Sequence, residues 1–432
     1  MTAFLPPSRL LSGGRPGGHP AALAPGPRSW SDFAAACEGV ARAWGRRGAE
    51  GPVVLACQDA WDFAAGLMGL LAAGRDVAIP PSFLAGALEA VPGASGILDV
   101  LPPPAEPGPA RTCGGQVTFW TSGSTGAPKA VVRNLAQLDA EVEVLEGLFG
   151  ALAGAAPVAG TVPHHHIYGC LFRLLWPLAA GRPFRAQACG DPAAFLEAVP
   201  GAVLVSSPAS LSRLWRLLDP RAMERPPAAI FSSGGPLAQA DALAWLPPGV
   251  VEVYGSTETG GIAWRRQDGG PGSDLWRPFP DVAVTFGEDG ALGVEAFRAG
   301  PAPVRMEDAA QPAEEGRFRL MGRLDRIVKL HEKRIALPAV EAALESHPFV
   351  HRAAAVLLEG ARPALGAVLV LAEGAPESVA DLAHALRSHL EGRLEGAAIP
   401  RRWRVAAELP YDERGKLLPG ALSALFQPGE TR

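Results

Sequence analysis

The chain has 432 residues, 48% of them hydrophobic, with 51 Gly and 43 Pro, a composition too apolar for global disorder and a length suited to two or three domains. Thirty-nine basic against 44 acidic residues leave a formal charge of −5, which gives no electrostatic case for nucleic acid or an anionic membrane as partner. Five scattered cysteines (Cys37, Cys57, Cys113, Cys170 and Cys189) show no Cys-x-x-Cys spacing, and neither a leader nor a membrane-length apolar run is evident, so a cytoplasmic protein with a small-molecule ligand is expected.

In chain order, Phe33, Cys37, Val40, Ala41 and Trp44 fall at helical spacing after Ser31, and Gly48 closes the segment. A buried strand at 53–57, a helix at 61–73 and a strand at 76–80 follow; strand, helix, strand in that order implies a parallel sheet with crossover helices. Residues 101–115, rich in Pro and Gly, read as a connection closing a first lobe of about 110 residues. A strand at 116–120 leads into Thr121-Ser122-Gly123-Ser124-Thr125-Gly126-Ala127-Pro128-Lys129, and an amphipathic helix is expected at 135–148. Alternation continues with strands at 202–206, 229–232 and 250–254, a helix at 208–218, and period-2 antiparallel strands at 282–297. Beyond residue 323 a compact α+β unit is expected: a helix at 338–346, strands near 353–358 and 366–371, and a helix at 378–393. The fold class is thus α/β, with a core at 1–323 and a small α+β domain at 324–432.

Of the 39 basic residues only four are Lys: Lys129, Lys329, Lys333 and Lys416. A chain that writes Arg almost wherever positive charge suffices has kept compact ammonium groups at four places. One of them ends the segment 121–129, whose glycines, hydroxyls and terminal Lys suit polyphosphate oxygens. This is not a Walker A loop, because Lys129 is followed by Ala130.

Residues 121–129 resemble the signature loop of the adenylate-forming superfamily, which comprises acyl-CoA synthetases, peptide-synthetase adenylation domains and luciferases. Three further stretches agree in order. Val253-Tyr254-Gly255-Ser256-Thr257-Glu258-Thr259 resembles the Y-G-x-T-E segment, Gly322 to Lys329 through Arg334 and Glu341 resembles the hinge motif, and Gly415-Lys416 resembles the C-terminal catalytic turn. The resemblance implies attack of a carboxylate on the α-phosphate of Mg-ATP, giving acyl-AMP and pyrophosphate, followed by attack of a thiol to give a thioester and AMP.

It also implies roles. Lys416 would neutralise carboxylate and α-phosphate oxygens, Thr257 would donate to the α-phosphate, and Glu258 would bind magnesium. Thr121, Ser122, Gly123, Ser124, Thr125, Gly126 and Lys129 would cradle phosphates. Ser233, Gly234, Gly235 and Pro236, with Ser232, would lie against adenine, with Tyr254 stacking beside Gly255 and Ser256. Asp308 and Arg323 would hold the ribose, and Asp325 would be the hinge of the C-terminal domain. His166 aligns with a residue that closes over the acid, whereas His164 and His165 read as structural and zinc is disfavoured. Phe172, Trp176, Ser206, Ser207, Phe231, Gly260, Gly261 and Ile262 form an expected uncharged pocket, suited to an aryl or acyl acid and not to an amino acid.

Two departures bear on the acceptor. The hinge motif reads Lys329-Leu330-His331-Glu332-Lys333-Arg334, with Glu332 where the family commonly has Gly, and Lys333 with Arg334 offers a basic patch for coenzyme A phosphates or an acidic carrier protein. The early signature loop resembles that of compact ligases that charge carrier proteins in lipid or pigment pathways. The leading expectation is therefore transfer to the phosphopantetheine thiol of an acyl carrier protein, with coenzyme A as the alternative acceptor. A non-catalytic nucleotide-binding homologue and a phosphoryl-transferring kinase are the readings from other classes.

Overall fold

A computed structural model describes residues 3–23, 26–45, 50–122, 128–330, 333–359, 363–376, 378–391, 393–410 and 419–426. The chain divides into two compact units, one of residues 1–284 with 294–304, the other of residues 285–293 with 305–432.

The first unit opens with helix α1 (Trp30–Gly45) packed on α2 (Ala60–Ala72). Asp59 caps α2 by accepting from the N–H groups of Trp61 and Asp62, and almost every residue of the helix is buried. Around it lies a five-stranded sheet of β1 (Val53–Leu55), β2 (Val77–Ile79), β3 (Gly96–Leu98), β4 (Gln116–Ser122) and β5 (Pro128–Asn134), in the order β3-β1-β2-β4-β5. The first four strands run parallel, as the strand-helix-strand reading requires, and β5 closes the edge antiparallel to β4. Strand β5 is a correction: the phosphate-loop reading takes the signature loop from a strand directly toward a helix, whereas the loop joins two antiparallel strands. Helix α3 (Leu135–Ala153) starts where expected, because Asn134 and Gln137 cap it reciprocally.

The second sheet contains β6 (Val158–Gly160), β7 (Val203–Ser206), β8 (Ala229–Ser232), β9 (Val250–Ser256), β10 (Gly260–Gln267) and β11 (Arg277–Pro278), in the order β11-β10-β9-β8-β7-β6. Strands β6 to β9 are parallel, and β10 returns antiparallel through the turn at 257–259. Between β6 and β7 a helical run includes a π-helical stretch, Cys170–Leu175. Helix α4 (Pro208–Leu217) follows β7 with Ser207 as its cap.

In the second unit, a four-stranded sheet of β12 (Ala283–Phe286), β13 (Ala291–Glu295), β14 (Val304–Pro312) and β15 (Phe318–Arg323) begins at the boundary between the units. A hairpin of β16 (Ile327–Leu330) and β17 (Lys333–Ala336) comes next, then α5 (Leu337–Glu345), β18 (Val350–Leu358), β19 (Ala364–Leu371), α6 (Val379–Leu390) and β20 (Arg402–Val405). Leu337, Val340, Leu344, Leu382, Leu386 and Leu390 cover one face of the three-stranded sheet of β18, β19 and β20, giving this unit its own core. By contacts the division thus falls at residues 284–304, upstream of the boundary at 323 read from the hinge motif. Among the described residues no helix is long and apolar enough to cross a membrane, and all five cysteines are free and buried.

Candidate active site

Four parallel strands deliver the predicted segments of the first unit to one sheet edge. Strands β6, β7, β8 and β9 lie in register as neighbours, so whatever follows each of them emerges at the same carboxyl end, where open α/β sheets bind ligands. After β6 come His164 to His166, after β7 Ser207, after β8 the stretch Ser233 to Pro236, and β9 itself ends in Tyr254, Gly255 and Ser256. Gly234, Gly235, Pro236 and Gly255 are exposed, forming an accessible rim. The buried Glu252 carboxylate holds this edge together: it accepts from the Leu237 N–H at 3.0 Å, just past the Ser233 stretch, and pairs with Arg265 at 2.5 Å.

Gly255 and Gly260 are required by packing. A Cβ at Gly255 would lie 2.2 Å from the Gly260 carbonyl, and one at Gly260, where φ is +71°, would lie 2.5 Å from a Glu141 carboxylate oxygen. Gly260 is therefore fixed by a buried side chain behind the turn. Tyr254 packs edge-on against Trp276, with ring centroids 5.7 Å apart.

Thr257 and Glu258 sit in the turn between β9 and β10. Lys129, at the start of β5, places its Nζ 2.7 Å from Glu258 Oε1; the two side chains are 61% and 37% exposed. Partial burial favours the neutral acid at Glu258, but hydrogen bonds from Lys129 and Ser256 outweigh it and hold the carboxyl below its ordinary range. At neutral pH the turn therefore presents an ionised carboxylate. Thr121 Oγ1 donates to the Lys129 carbonyl at 3.4 Å, and Ser122 pairs with Pro128 through the backbone. Gly123, Ser124, Thr125 and Gly126 lie outside the described residues, as do Gly415 and Lys416.

The three histidines differ. His164 is buried, its Nε2 lies 3.1 Å from the Cys57 carbonyl, and burial pushes its pKa down to about 4. His165 stacks on Phe83 at 4.5 Å and is pushed down to about 3, first by burial and then by its two neighbours. His166 is exposed and stacks on His165 at 4.4 Å, which leaves its ring accessible. Of the residues expected to line the pocket, Phe172, Trp176 and Phe231 are instead buried core, 2%, 1% and 0% exposed, and form one aromatic cluster with centroids 5.4 to 5.7 Å apart, with Tyr168 against Phe172 at 4.8 Å. Trp176 turns its N–H away to Glu146 at 2.7 Å, and Ile262 is core. Ser206 bonds to Thr161 at 2.8 Å, while Ser207 accepts from the Ser210 N–H at 3.3 Å and serves α4 as a cap.

In the second unit Asp308 and Arg323 stand directly opposite each other on β14 and β15, so the two residues expected at the ribose are cross-strand neighbours. The Arg323 guanidinium also pairs with Glu307 at 2.6 Å. Asp325 lies in the turn Leu324–Arg326, where the chain leaves β15 for β16; its neighbour Arg326 pairs with Glu341 on α5, which also accepts from the Ala355 N–H at 2.7 Å. Lys329 is exposed on β16, and the side chains of Lys333 and Arg334 lie outside the described residues.

Comparison with known proteins shows the family. The AMP-binding enzyme model matches residues 89–285, and the model for the AMP-binding enzyme C-terminal domain matches residues 339–416. A 4-coumarate–CoA ligase of Rhodobacter capsulatus is 35% identical over 71% of this chain and 76% of its own length. The chain belongs to the AMP-binding enzyme family. Its enzymatic class is that of the AMP-forming acid–thiol ligases, and the adenylate-forming resemblance of its motifs is borne out. A 4-coumarate–CoA ligase of Cereibacter sphaeroides is 32% identical over 69% of either chain. In fold, the ATP-bound MatB of Rhodopseudomonas palustris superposes with a TM-score of 0.80 at 18% identity, covering 98% of each chain.

The residues beyond the predicted set are Arg133, Glu141 and Arg298, buried charges behind the turn at 257–261, and Asp281, an exposed residue that pairs with Arg298. No motif marks them, and isolated Arg and Glu in a sequence read first as surface.

Proposed function

We propose that the chain condenses an aromatic carboxylic acid of the hydroxycinnamate or benzoate type with ATP to acyl-AMP and pyrophosphate, and passes the acyl group to the thiol of coenzyme A, releasing AMP. The observation that carries this reading is the 35% identity to a ligase named for 4-coumarate and CoA, spread over three quarters of that protein. The relatives' names carry CoA as the thiol, so coenzyme A replaces the carrier protein as the favoured acceptor.

The donor set suits a magnesium-bound nucleotide. Magnesium keeps several waters and takes one or two carboxylates plus phosphate oxygens; Glu258 offers one half-exposed carboxylate, and no cluster of three His, Cys, Asp or Glu occurs among the described residues. When bound, the ion would neutralise phosphate charge. Glu258 would hold it, Lys129 and the hydroxyls of Thr121 and Ser122 would bind phosphate oxygens, and Thr257 would donate to the α-phosphate. The Ser233 to Pro236 stretch, Tyr254, Gly255 and Ser256 would flank adenine, and Asp308 with Arg323 would hold the ribose. His166 would close over the acid and Lys416 would neutralise its carboxylate during attack.

The test is acid-dependent exchange of labelled pyrophosphate into ATP with 4-coumarate, benzoate and C6 to C14 fatty acids, followed by thioester formation with coenzyme A or a pantetheinylated carrier protein. Exchange with the aryl acids and thioester with coenzyme A are expected. Exchange with fatty acids alone, or transfer to the carrier alone, would contradict the reading.

A further inference from the structure

We propose that Arg133 is a positioning residue for the metal-bound nucleotide, holding the Thr257–Glu258 turn through a buried charge cluster it forms with Glu141 and Arg298, which Asp281 joins from the surface. The proposal rests on the reading of Glu258 as the metal ligand.

Residues 129, 131 and 133 share one face of β5, because side chains alternate along a strand. That strand grips the turn twice. Lys129 meets the Glu258 carboxylate at 2.7 Å, and Arg133 donates through Nη2 to the Thr257 carbonyl, also at 2.7 Å. Arg133 is 1% exposed, and its Nη1 donates to the carbonyl of Arg298. Arg298, itself fully buried, pairs with Asp281 at 2.8 Å and faces Glu141 at 3.7 Å.

Glu141, from helix α3, holds the other end of the turn: its Oε1 accepts from the Gly261 N–H at 2.7 Å. Arg133 and Glu141 thus fasten Thr257 and Gly261, the two ends of a five-residue segment that carries Glu258, and Arg298 links the two from behind. Burying two guanidinium groups is costly, and apolar side chains could fill the same space more stably, so a purely structural role leaves the choice of charge unexplained. Fixing a metal-binding carboxylate from behind explains it, because groups that orient a metal ligand set its affinity.

The test is calorimetric titration of the full chain with ATP, once with excess magnesium and once with EDTA. The ratio of the two affinities isolates the metal contribution and needs neither the acid nor turnover. Arg133→Met is expected to lower the ratio about 10- to 100-fold, leaving the affinity in EDTA unchanged. Arg133→Lys, whose single ammonium cannot serve both carbonyls, is expected to lower it less, and it supplies the measurement should Arg133→Met not fold. Glu258→Gln, the control for the metal reading, is expected to abolish the magnesium effect. If Glu258→Gln does so while the Arg133 variants keep the wild-type ratio, or lose affinity equally in magnesium and EDTA, the positioning role is overturned and the metal reading stands. If Glu258→Gln leaves the ratio intact, the metal reading falls and the proposal with it.

Discussion

His164 and His165 illustrate how burial turns a side chain that suggests metal or acid–base chemistry into a structural one. Both are pushed to pKa values, about 4 and about 3, at which the ring is neutral throughout the physiological range. The sign of the linkage follows. Above the ordinary value of about 6.5 neither folded nor unfolded chain protonates these rings, and stability is at its full level. As pH falls below that value the unfolded chain takes up protons that the folded chain refuses, so stability drops by up to about 1.4 kcal/mol per pH unit for each ring until the folded pKa is reached. The unfolding temperature is therefore expected to fall between about pH 6.5 and about pH 4, more shallowly in His164→Gln; parallel profiles for the two proteins would contradict the assignment.

At this scale the sequence was legible wherever a residue type is unusual for its setting. The four lysines among 39 cations singled out Lys129, which the structure pairs with Glu258, and the ordered motifs singled out Asp308 and Arg323, which it sets opposite each other. Arg133, Glu141 and Arg298 were not legible. Their meaning depends on contacts between residues 120 or more positions apart, and nothing local distinguishes them from the other arginines and glutamates of an Arg-rich chain.

Among elements, strands β1, β2, β4, β7, β8 and β9 and helices α2, α4 and α5 all stand close to where apolar spacing and capping residues place them. Strand β5 escaped because a glycine-rich phosphate loop usually opens a helix, and that template overrode the alternation Lys129, Val131, Arg133 against Ala130 and Val132. The π-helical stretch at 170–175 has no signature in an apolar run at all. The turn at 324–326 is the element on which the two half-reactions are expected to pivot. Asp325→Pro, by fixing φ there, is expected to slow thioester formation more than adenylation, and Lys416→Ala to abolish adenylation while sparing ATP binding. Rapid-quench measurement of each half-reaction distinguishes them, and equal losses in both steps for Asp325→Pro would rule out the pivot.

For the whole molecule, family membership and domain order were readable because four motifs fall in sequence across nearly 300 residues; the two matched models, 89–285 and 339–416, include the first, second and last of them, with Gly322 to Arg334 falling between. For the acceptor, the alternative reading, coenzyme A, is better supported than the carrier protein placed first. Carrier protein and coenzyme A present the same pantetheine thiol, so a short first lobe and the basic pair Lys333 and Arg334 do not separate them; the names of the relatives favour coenzyme A. The chemistry common to every version of the account is attack by a carboxylate oxygen on the α-phosphorus, and isotopic labelling reads it directly. With 4-coumarate bearing oxygen-18 in both carboxyl positions, one labelled oxygen is expected in the AMP released on thioester formation. Label in inorganic phosphate, accompanied by ADP, would contradict it.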